Sequence, residues 1–356
     1  MAKITKRHIQ LGIKWLKGIR MNRQLWQYLQ NQLRWMRLNK RKELNIPYPT
    51  GVMLELGNRC NLHCITCPRE YQFGKQMNQG FMPLENAKKI IDELAPYLTS
   101  IGLTGLGETL LYPYLLEVVQ YIKQNKPNLT ITISTNAHFV GCVEKITPLL
   151  PYLDSVQFSV DGVGDVYETI RPNTDFNFIE DNISRIVQAG KGGTSFMINT
   201  IITPENCAGL ENVVDFADRL GIAYVNYDRI NLASIKELDR EAYTQFFHDE
   251  TYRQLLSALD EKKKTHPGLT FNQETQRGQG RFQDCTFPWH HQFITWDGFI
   301  VPCCIKPFPK EHNFGNVFTD GGVLAVLNSK KFQAWRKLWQ NNQMPKFCEQ
   351  CNTLCL

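Results

Sequence analysis

The stretch ELGNRCNLHCITCPR, residues 55–69, carries three cysteines, Cys60, Cys64 and Cys67, in a C-x3-C-x2-C spacing. It overlaps the end of an apolar, strand-like run at 51–56. A tetrahedral zinc site or an iron–sulfur cluster normally has four protein ligands. The stretch therefore indicates a metal centre whose fourth ligand is not supplied by the neighbouring sequence.

Eleven cysteines are placed unevenly along the 356 residues. Three lie at 60–67 and six at 285–355, which leaves Cys142 and Cys207 alone. Disulfide frameworks belong mainly to small secreted chains, whereas C-x2-C groups in a large chain favour metal or cluster ligands. The sequence has no run of about 18 apolar residues and no signal-peptide pattern, so we expect a cytoplasmic protein with reduced thiols.

The positive charge is concentrated at the N-terminus. Residues 1–50 hold six Lys and six Arg against one acid, Glu43, whereas the whole chain has a net charge of +6. Apolar residues recur at steps of four within 6–42, which predicts a basic helical extension that ends before Pro47. Either its apolar side packs on the main domain, or it binds an acidic partner or an anionic membrane surface. We do not expect the protein to bind nucleic acid, because the basic charge of this extension is the single feature of the sequence that would favour it.

Strand-like and helix-like segments alternate over 51–230. The strand-like runs lie at 51–56, 100–106, 129–135, 155–160, 194–202 and 223–229. The helix-like segments lie at 83–98, 114–125, 143–150, 177–189 and 210–220. Six strand–helix repeats predict an α/β fold, in which a parallel sheet with helices on its outer face forms an open, partial (β/α)6 barrel.

The polar motifs of this region fall at or just after the ends of the strands. In chain order they are the three cysteines, the Gly-Leu-Gly-Glu segment at 105–108, Asn136, Ser159 and Cys207. Ligands of parallel sheets bind at the carboxyl ends of the strands. We therefore expect all of these motifs to face one mouth of the barrel.

Three segments together resemble the radical S-adenosylmethionine (SAM) superfamily. They are ELGNRCNLHCITCPR, LTGLGETLLYP at 103–113 and FSVDGVGDVYETIR at 158–171, and the resemblance covers 51–230. It implies a [4Fe–4S] cluster on the three cysteines, with one iron left open for the amino and carboxylate groups of SAM. An electron from a flavodoxin- or ferredoxin-type reductant would cleave SAM, and the 5′-deoxyadenosyl radical would take a hydrogen atom from the substrate.

The resemblance also implies SAM contacts at matching positions. The amino group would be bound by Gly105, Gly107 and Glu108, because glycine lets a backbone approach a ligand closely. Four polar residues near later strands would contact the ribose or the carboxylate: Ser134, Asn136, Ser159 and Arg171. Ordinary strand-end hydrogen bonds are the alternative for these four. Thr66 departs from the family, where an aromatic residue often precedes the third cysteine, and this puts one adenine contact in doubt.

A second cysteine pattern lies in the C-terminal part. Cys285-x12-Gly298-x4-Cys303 is followed by Cys348-x2-Cys351. This resembles the front half of the SPASM auxiliary-cluster domain, in its shorter "twitch" form, and implies one auxiliary [4Fe–4S] cluster with these four cysteines as ligands. Gly298 suits the turn of a hairpin formed by ITWDGFIVP. A zinc ribbon is the alternative, and two further thiols have no assigned role: Cys304 and Cys355.

The predicted organisation has four parts, in keeping with a globular composition of 42% hydrophobic and 21% charged residues. They are a basic helical extension at 1–48, the radical SAM partial barrel at 49–232, a helical linker at 233–280 and a SPASM/twitch domain at 281–356. The length allows one large domain with smaller additions.

The expected substrate is a hydroxylated small molecule, a sugar or aminocyclitol. Its dehydrogenation, with a fully ligated auxiliary cluster for electron transfer, resembles that of 2-deoxy-scyllo-inosamine dehydrogenase. Epimerisation would use Cys207 as a hydrogen donor, for which burial as a small core residue is the alternative. Substrate contacts or a base are expected among polar residues near the auxiliary cysteines: Arg281, Asp284, His290 and His291.

Two other function classes stay open. Many SPASM relatives modify ribosomally made peptides, and those often carry a leader-binding winged-helix extension, which residues 1–50 are too short and too uniformly helical to form. A non-catalytic iron–sulfur protein would not need the Gly-Leu-Gly-Glu motif or an open iron.

Overall fold

The computed structural model describes residues 23–41, 43–235, 237–273, 285–348 and 351. Its first element is helix α1, Arg23–Arg41, which confirms the second half of the predicted N-terminal helix. The first half of that prediction lies outside the described residues. Among the described helices, none combines the length and the apolar character needed to cross a membrane.

A nine-stranded sheet forms the centre of the fold. Its strands are β1 (Gly51–Leu54), β2 (Ser100–Leu103), β3 (Thr130–Thr135), β4 (Ser155–Ser159), β5 (Ser195–Ile202), β6 (Tyr224–Arg229), β7 (Thr270–Gln273), β8 (Gln292–Ile294) and β9 (Ile300–Val301). The spatial order is β7-β6-β5-β4-β3-β2-β1-β8-β9. All neighbours are parallel except β8 and β9, so the six predicted parallel strands are confirmed and further strands extend the sheet at both edges.

Helices connect the strands. They are α2 (Gln72–Lys75), α3 (Leu84–Leu94), α4 (Leu115–Asn125), α5 (Cys142–Ile146), α6 (Asp165–Ile170), α7 (Phe176–Ala189), α8 (Asn212–Arg219), α9 (Arg240–Phe246), α10 (Glu250–Thr265), α11 (Val323–Leu327) and α12 (Lys330–Gln340). The predicted helical linker divides into α9 and α10, because Asp239 and Asp249 each accept a backbone N–H at the start of a separate helix.

The strands separate two faces of the sheet. Alternate residues of β3, β5 and the first part of β6 are buried, and several of them, such as Ile133, Ile198 and Val225, belong to the hydrophobic core that the sheet shares with the helices. Successive side chains of a strand point to opposite faces. The partly buried residues between them, such as Asn199 and Asn226, therefore form the other face, which we call the inner face.

The cysteine-rich C-terminal part contributes to the same sheet. β8 pairs in parallel with β1, with Val52 opposite Gln292, and β9 returns antiparallel beside it. Gly298 in the turn has φ of +89°, a left-handed conformation that favours glycine, and the predicted hairpin is confirmed. Segments on both sides of the predicted boundary at 281 thus supply strands to one sheet.

Arg336 joins three distant segments. It is fully buried in α12 and donates hydrogen bonds to the backbone carbonyls of Leu44 (2.9 Å), Pro288 (2.9 Å) and Leu327 (2.6 Å). Burial lowers the pKa of the guanidinium to about 9. These contacts fix the chain before β1, the segment before β8 and the end of α11 relative to one another.

Replacing Arg336 with Met should lower the free energy of unfolding by about 3 kcal/mol, because three carbonyls lose a buried donor at roughly 1 kcal/mol or more each. The matched control is Lys337→Met on the exposed side of α12, which should change stability by less than about 0.5 kcal/mol. Urea unfolding followed by circular dichroism measures both. Equal stabilities of the two variants would contradict the role of Arg336.

Candidate active site

The C-x3-C-x2-C segment forms a loop beyond the carboxyl end of β1. Its backbone is held by hydrogen bonds from the Cys67 N–H to the Cys64 carbonyl and from the Ile65 N–H to the Ile170 carbonyl, both 3.0 Å. All three cysteines are free thiols. Burial raises their pKa values, for Cys67 to about 12, and neighbouring thiols of the loop raise those of Cys64 and Cys67 further. Thiolates held this close need positive charge beside them.

Two buried arginines supply that charge. The Nη1 atom of Arg171 lies 3.5 Å from the Cys64 sulfur, while its Nη2 forms a 2.6 Å ion pair with Asp161. The Nε and Nη1 atoms of Arg69 are buried without a hydrogen-bond partner among the described residues. Because unpaired buried donors are costly, these orphaned nitrogens fit an anionic group bound beside the loop. Three thiolates facing two cations thus suit a [4Fe–4S] cluster.

The Gly-Leu-Gly-Glu motif packs directly on the cysteine loop. The Glu108 N–H donates to the Arg59 carbonyl at 2.9 Å, and a Cβ on Gly107 would lie 2.6 Å from the same oxygen. A Cβ on Gly105 would overlap the Glu55 side chain. Close packing against the protein therefore requires glycine at both positions. The approach of their backbone to SAM stays a prediction.

The Glu108 carboxylate is engaged by backbone groups of the protein. Its Oε1 accepts a hydrogen bond from the Leu110 N–H (3.0 Å) and its Oε2 from the Asn136 N–H (2.7 Å). Burial raises its pKa. Glu108 thereby ties the loop after β2 to the end of β3, and both of its carboxylate oxygens are used within the protein.

The predicted ribose contacts divide into two groups. Asn136 turns toward the cysteine loop, with its Nδ2 atom 3.7 Å from the Cys60 sulfur and 3.0 Å from Asn61 Oδ1. Ser134 and Ser159, by contrast, are partly buried residues of the inner face. The two serines therefore belong to the inner face, whereas Asn136 faces the Cys60 sulfur.

A row of polar residues crosses the inner face. Ser159 lies opposite Asn199 in the register of β4 and β5, and Asn199 lies opposite Asn226 of β6. The Nδ2 atom of Asn226 donates to Asn199 Oδ1 (2.6 Å) and to Asp228 Oδ2 (2.5 Å). The sequence interpretation missed Asn199, Asn226 and Asp228. The sequence pattern that could have identified them is the placement of polar residues at alternate positions within two strand-like runs.

Each of the four predicted auxiliary ligands lies near at least one of the others, and Cys304 is a fifth thiol in the same region. Burial raises the pKa of Cys285 and Cys304 to about 11 and that of Cys303 well above its usual value. Smaller contributions come from neighbouring thiols, among them Cys348 and Cys351. Cys355 lies outside the described residues.

These auxiliary thiols adjoin the carboxyl end of β6. The Nδ2 atom of Asn231 lies 3.7 Å from the Cys351 sulfur, and Lys306 Nζ donates to the Ala233 carbonyl. Burial is the main cause of the raised pKa of Cys304. The charges of Cys351 and then of the Asp228 carboxylate raise it further. Asp228 is therefore close both to the polar row and to the auxiliary thiols.

Cys207 lies apart from these groups. It is 2% exposed, and burial raises its pKa to about 11. Its sulfur faces the Thr251 carbonyl at 3.7 Å, at the start of α10. This position favours the interpretation of Cys207 as a core residue and gives no support to a hydrogen-donor role.

Two of the predicted polar residues, His290 and His291, do not lie at the mouth. His290 and His291 line a cavity with Thr50 and Ser100, at the amino ends of β1 and β2. The His290 ring packs 4.7 Å from that of Trp35 in α1. The expected substrate contact of the two histidines is wrong, because they precede β8 and so lie at the end of the sheet opposite the cysteine loop. Two other candidates lie outside the described residues: Arg281 and Asp284.

Glu55 connects β1, the glycine-rich motif and the hairpin. It is buried, with Oε1 accepting from the Leu106 N–H (2.9 Å) and Oε2 from the Trp296 N–H (3.2 Å). Burial raises its pKa to about 7, against the lowering effect of these two hydrogen bonds. A cavity of about 380 Å³ opens beside Glu55 and is lined by Asn58, Trp296 and Phe308 among others.

Comparison with known protein families identifies the class. The model of the radical SAM superfamily matches residues 54–217, and that of the iron–sulfur cluster-binding SPASM domain matches 285–352. The chain belongs to the radical SAM superfamily and has a C-terminal SPASM domain. Its cofactors are accordingly SAM and [4Fe–4S] clusters.

The relatives come from several lineages. An uncharacterized protein of Methanocaldococcus jannaschii is 30% identical over 219 residues, which are 58% of this chain and 70% of that protein. An AdoMet-dependent heme synthase of Methanosarcina barkeri is 22% identical over 317 residues, 83% of each chain. The structure of SuiB from Streptococcus suis bound to S-adenosylmethionine has a TM-score of 0.67 at 16% identity, over 98% of this chain and 81% of that chain. At this identity the likeness to SuiB shows the fold alone.

Replacing Cys64 with Ala should remove about four irons per chain and abolish 5′-deoxyadenosine formation, because Cys64 is one of the three thiols predicted to hold the open cluster. Cys142→Ala is the matched control, since Cys142 is equally buried but lies outside both cysteine groups. Iron assays and chromatography of 5′-deoxyadenosine after anaerobic reconstitution give the readouts. Full iron content and SAM cleavage in Cys64→Ala would refute the assigned ligand.

Glu55 should make stability depend on pH. Because folding raises its pKa from 4.5 to about 7, the folded protein holds a proton that the unfolded chain loses between these values. The contribution of Glu55 to the free energy of unfolding should therefore fall by about 3 kcal/mol as the pH rises through this window.

The measurement is the difference in urea-unfolding free energy between wild type and Glu55→Gln at several pH values from 4.5 to 7. This difference should change by about 3 kcal/mol across that range. A constant difference for Glu55→Gln would mean that the pKa of Glu55 is not raised.

Proposed function

We propose that this radical SAM enzyme dehydrogenates a hydroxylated small molecule, a sugar or an aminocyclitol. The observation that carries the proposal is the polar row of Ser159, Asn199, Asn226 and Asp228 on the inner face. Amide and hydroxyl groups in such a row offer both donors and acceptors to hydroxyls of a substrate. A hydrocarbon-like substrate would leave these polar groups without partners, at a cost in binding free energy.

The two cysteine groups suit an oxidation. When bound, SAM with the open cluster supplies the radical that takes a hydrogen atom from carbon, and the auxiliary cluster supplies an electron acceptor. We assign the open cluster to Cys60, Cys64 and Cys67, and the auxiliary one to Cys285, Cys303, Cys348 and Cys351. Arg171 and Arg69 would balance the charge at the first site, and the backbone of 105–108 with Ser134 and Ser159 would hold SAM.

Asp228 is our candidate for the base. Conversion of a carbinol to a ketone releases the hydroxyl proton in addition to a hydrogen atom and an electron, so a proton acceptor is needed near the reacting carbon. Asp228 lies at the end of the polar row, and its charge acts on Cys304 of the auxiliary group. A carboxylate at that position could accept the proton close to where the electron leaves.

Dehydrogenation is favoured over epimerisation by the place of Cys207. A hydrogen donor has to reach the opposite face of the substrate, and the Cys207 sulfur instead faces the Thr251 carbonyl. The proposed reaction is the one that the sequence predicts from its resemblance to 2-deoxy-scyllo-inosamine dehydrogenase, the oxidation of a hydroxyl-bearing carbon.

Peptide modification is the second candidate. The cavity beside Glu55 opens next to aromatic residues of the hairpin and the following loop, including Trp296 and Phe308, which could seat side chains of a peptide. SuiB, which has a similar fold, is solved bound to its precursor peptide SuiA. Because one relative is an AdoMet-dependent heme synthase, the substrate screen should also contain tetrapyrroles.

The test is a substrate screen with Asp228→Asn as the diagnostic variant. Sugars and aminocyclitols should raise 5′-deoxyadenosine formation by the wild type above its substrate-free rate, with one ketone formed per SAM cleaved. Asp228→Asn should keep its iron and its SAM cleavage but form about 100-fold less ketone, because it lacks the base. Asp181→Asn, an exposed carboxylate on α7, is the matched control.

Mass spectrometry of the product and chromatography of 5′-deoxyadenosine give both readouts. Stimulation by peptides or tetrapyrroles, with none by the hydroxylated compounds, would overturn the proposed substrate class. Unchanged ketone formation by Asp228→Asn would overturn the role of Asp228 while leaving the substrate class intact.

A further inference from the structure

Helix α1 carries an exposed apolar surface. Among the described residues, six large hydrophobic side chains are exposed, and four of them lie on α1 at spacings of three and four: Trp26, Leu29, Leu33 and Met36. Residues with this spacing share one side of a helix. We call these four residues the apolar stripe, of which Trp26 is 65% and Met36 55% exposed.

The opposite side of α1 is anchored to the protein. Asn31 Nδ2 and Trp35 Nε1 each donate a 2.8 Å hydrogen bond to the Tyr48 carbonyl, and Leu38 is buried in the core. The Tyr28 ring lies under Lys126 Nζ at 5.3 Å. The apolar stripe therefore belongs to a helix with one fixed orientation, which holds the stripe outward.

Positive charge accompanies the stripe. The α1 sequence contains Arg23, Arg34, Arg37, Lys40 and Arg41 and no acidic residue. Arg34 and Arg37 are exposed, and Arg37 is four residues after Leu33, so it lies beside the stripe on the helix surface. Six more basic residues and no acid precede α1 at 1–22 in the sequence. This end of the protein thus combines an exposed apolar helix side with a strong positive charge.

We propose that the apolar stripe seats α1 at the surface of an anionic lipid bilayer. Amphipathic helices with aromatic and aliphatic residues on one side and arginines beside them bind at the headgroup boundary, by apolar burial together with attraction to anionic lipids. A second copy of the chain is disfavoured, because an isologous contact would bring together two basic helices that contain no acidic residue. Nucleic acid would match the charge but would leave Leu29, Leu33 and Met36 exposed.

The attachment would orient the catalytic mouth. The contacts of α1 include Tyr48, which precedes β1, and Lys126, which precedes β3. Both lie at the amino ends of the strands, whereas the cysteine loop follows their carboxyl ends. A bilayer at the apolar stripe would therefore leave the mouth open to the aqueous side.

The experiment uses the full-length, cluster-loaded protein and sucrose-loaded vesicles of phosphatidylcholine, with and without about a third phosphatidylglycerol. We expect co-sedimentation with the anionic vesicles that weakens with added salt. Replacing all four residues of the apolar stripe with Ser should weaken partitioning at least tenfold. Arg34→Gln with Arg37→Gln should weaken it about 30-fold, at roughly fivefold for each basic residue near an anionic surface.

The matched control replaces exposed apolar residues elsewhere, Tyr114→Ser with Val140→Ser, and should bind the vesicles as the wild type does. Circular dichroism and SAM cleavage without vesicles should be the same in all variants, since every substituted side chain is exposed. Equal vesicle binding by the four-Ser variant would overturn the proposal. So would self-association of the wild type in sedimentation velocity that the four-Ser variant loses, which would identify a second copy as the occupant.

Discussion

The buried carboxylate of Glu55 is the constraint on which the arrangement of the site depends. It accepts one N–H from the glycine-rich motif and one from the hairpin turn, at the point where the chain leaves β1 for the cysteine loop. A carboxyl group inside a protein has to be satisfied by its neighbours. Three segments that are far apart in the sequence, at 55, 106 and 296, are therefore held at one position, and none of them can shift without leaving a polar group unpaired.

Charge balance is the second theme of the site. Burial of the thiols in the cysteine loop opposes their ionisation. The positive charges of Arg171 and Arg69, which lie in the same region, favour it. Asp161 in turn holds Arg171 and also accepts the Ile201 N–H of β5 at 2.8 Å. Through Asp161, the Arg171 guanidinium beside Cys64 is connected to the backbone of β5. The position of this charge beside the loop therefore depends on the position of the strand.

Local patterns in the sequence predicted the elements but not their long-range neighbours. Alternating apolar residues and the C-x3-C-x2-C spacing are short-range signals, and they located β1 to β6 and the cysteine loop correctly. The pairing of β8 with β1 joins residues about 240 positions apart and has no local signature. For the same reason His290 and His291, close to cysteines in sequence, were placed at the wrong end of the sheet. Asn199, Asn226 and Asp228 were missed because a polar residue on an inner face has the same alternation as one facing solvent.

The C-terminal part reaches both margins of the six-strand core. Its hairpin lies on β1, while Ile305 and Lys306 contact Ser234 and Ala233 after β6. The segment thus crosses the gap that an incomplete barrel leaves between its first and last strands. The cysteine loop after β1 and the auxiliary thiols beside the end of β6 are therefore linked through one continuous C-terminal part. A change in the pairing of β8 with β1 would alter the distance between the two groups of cysteines even if every cysteine were kept.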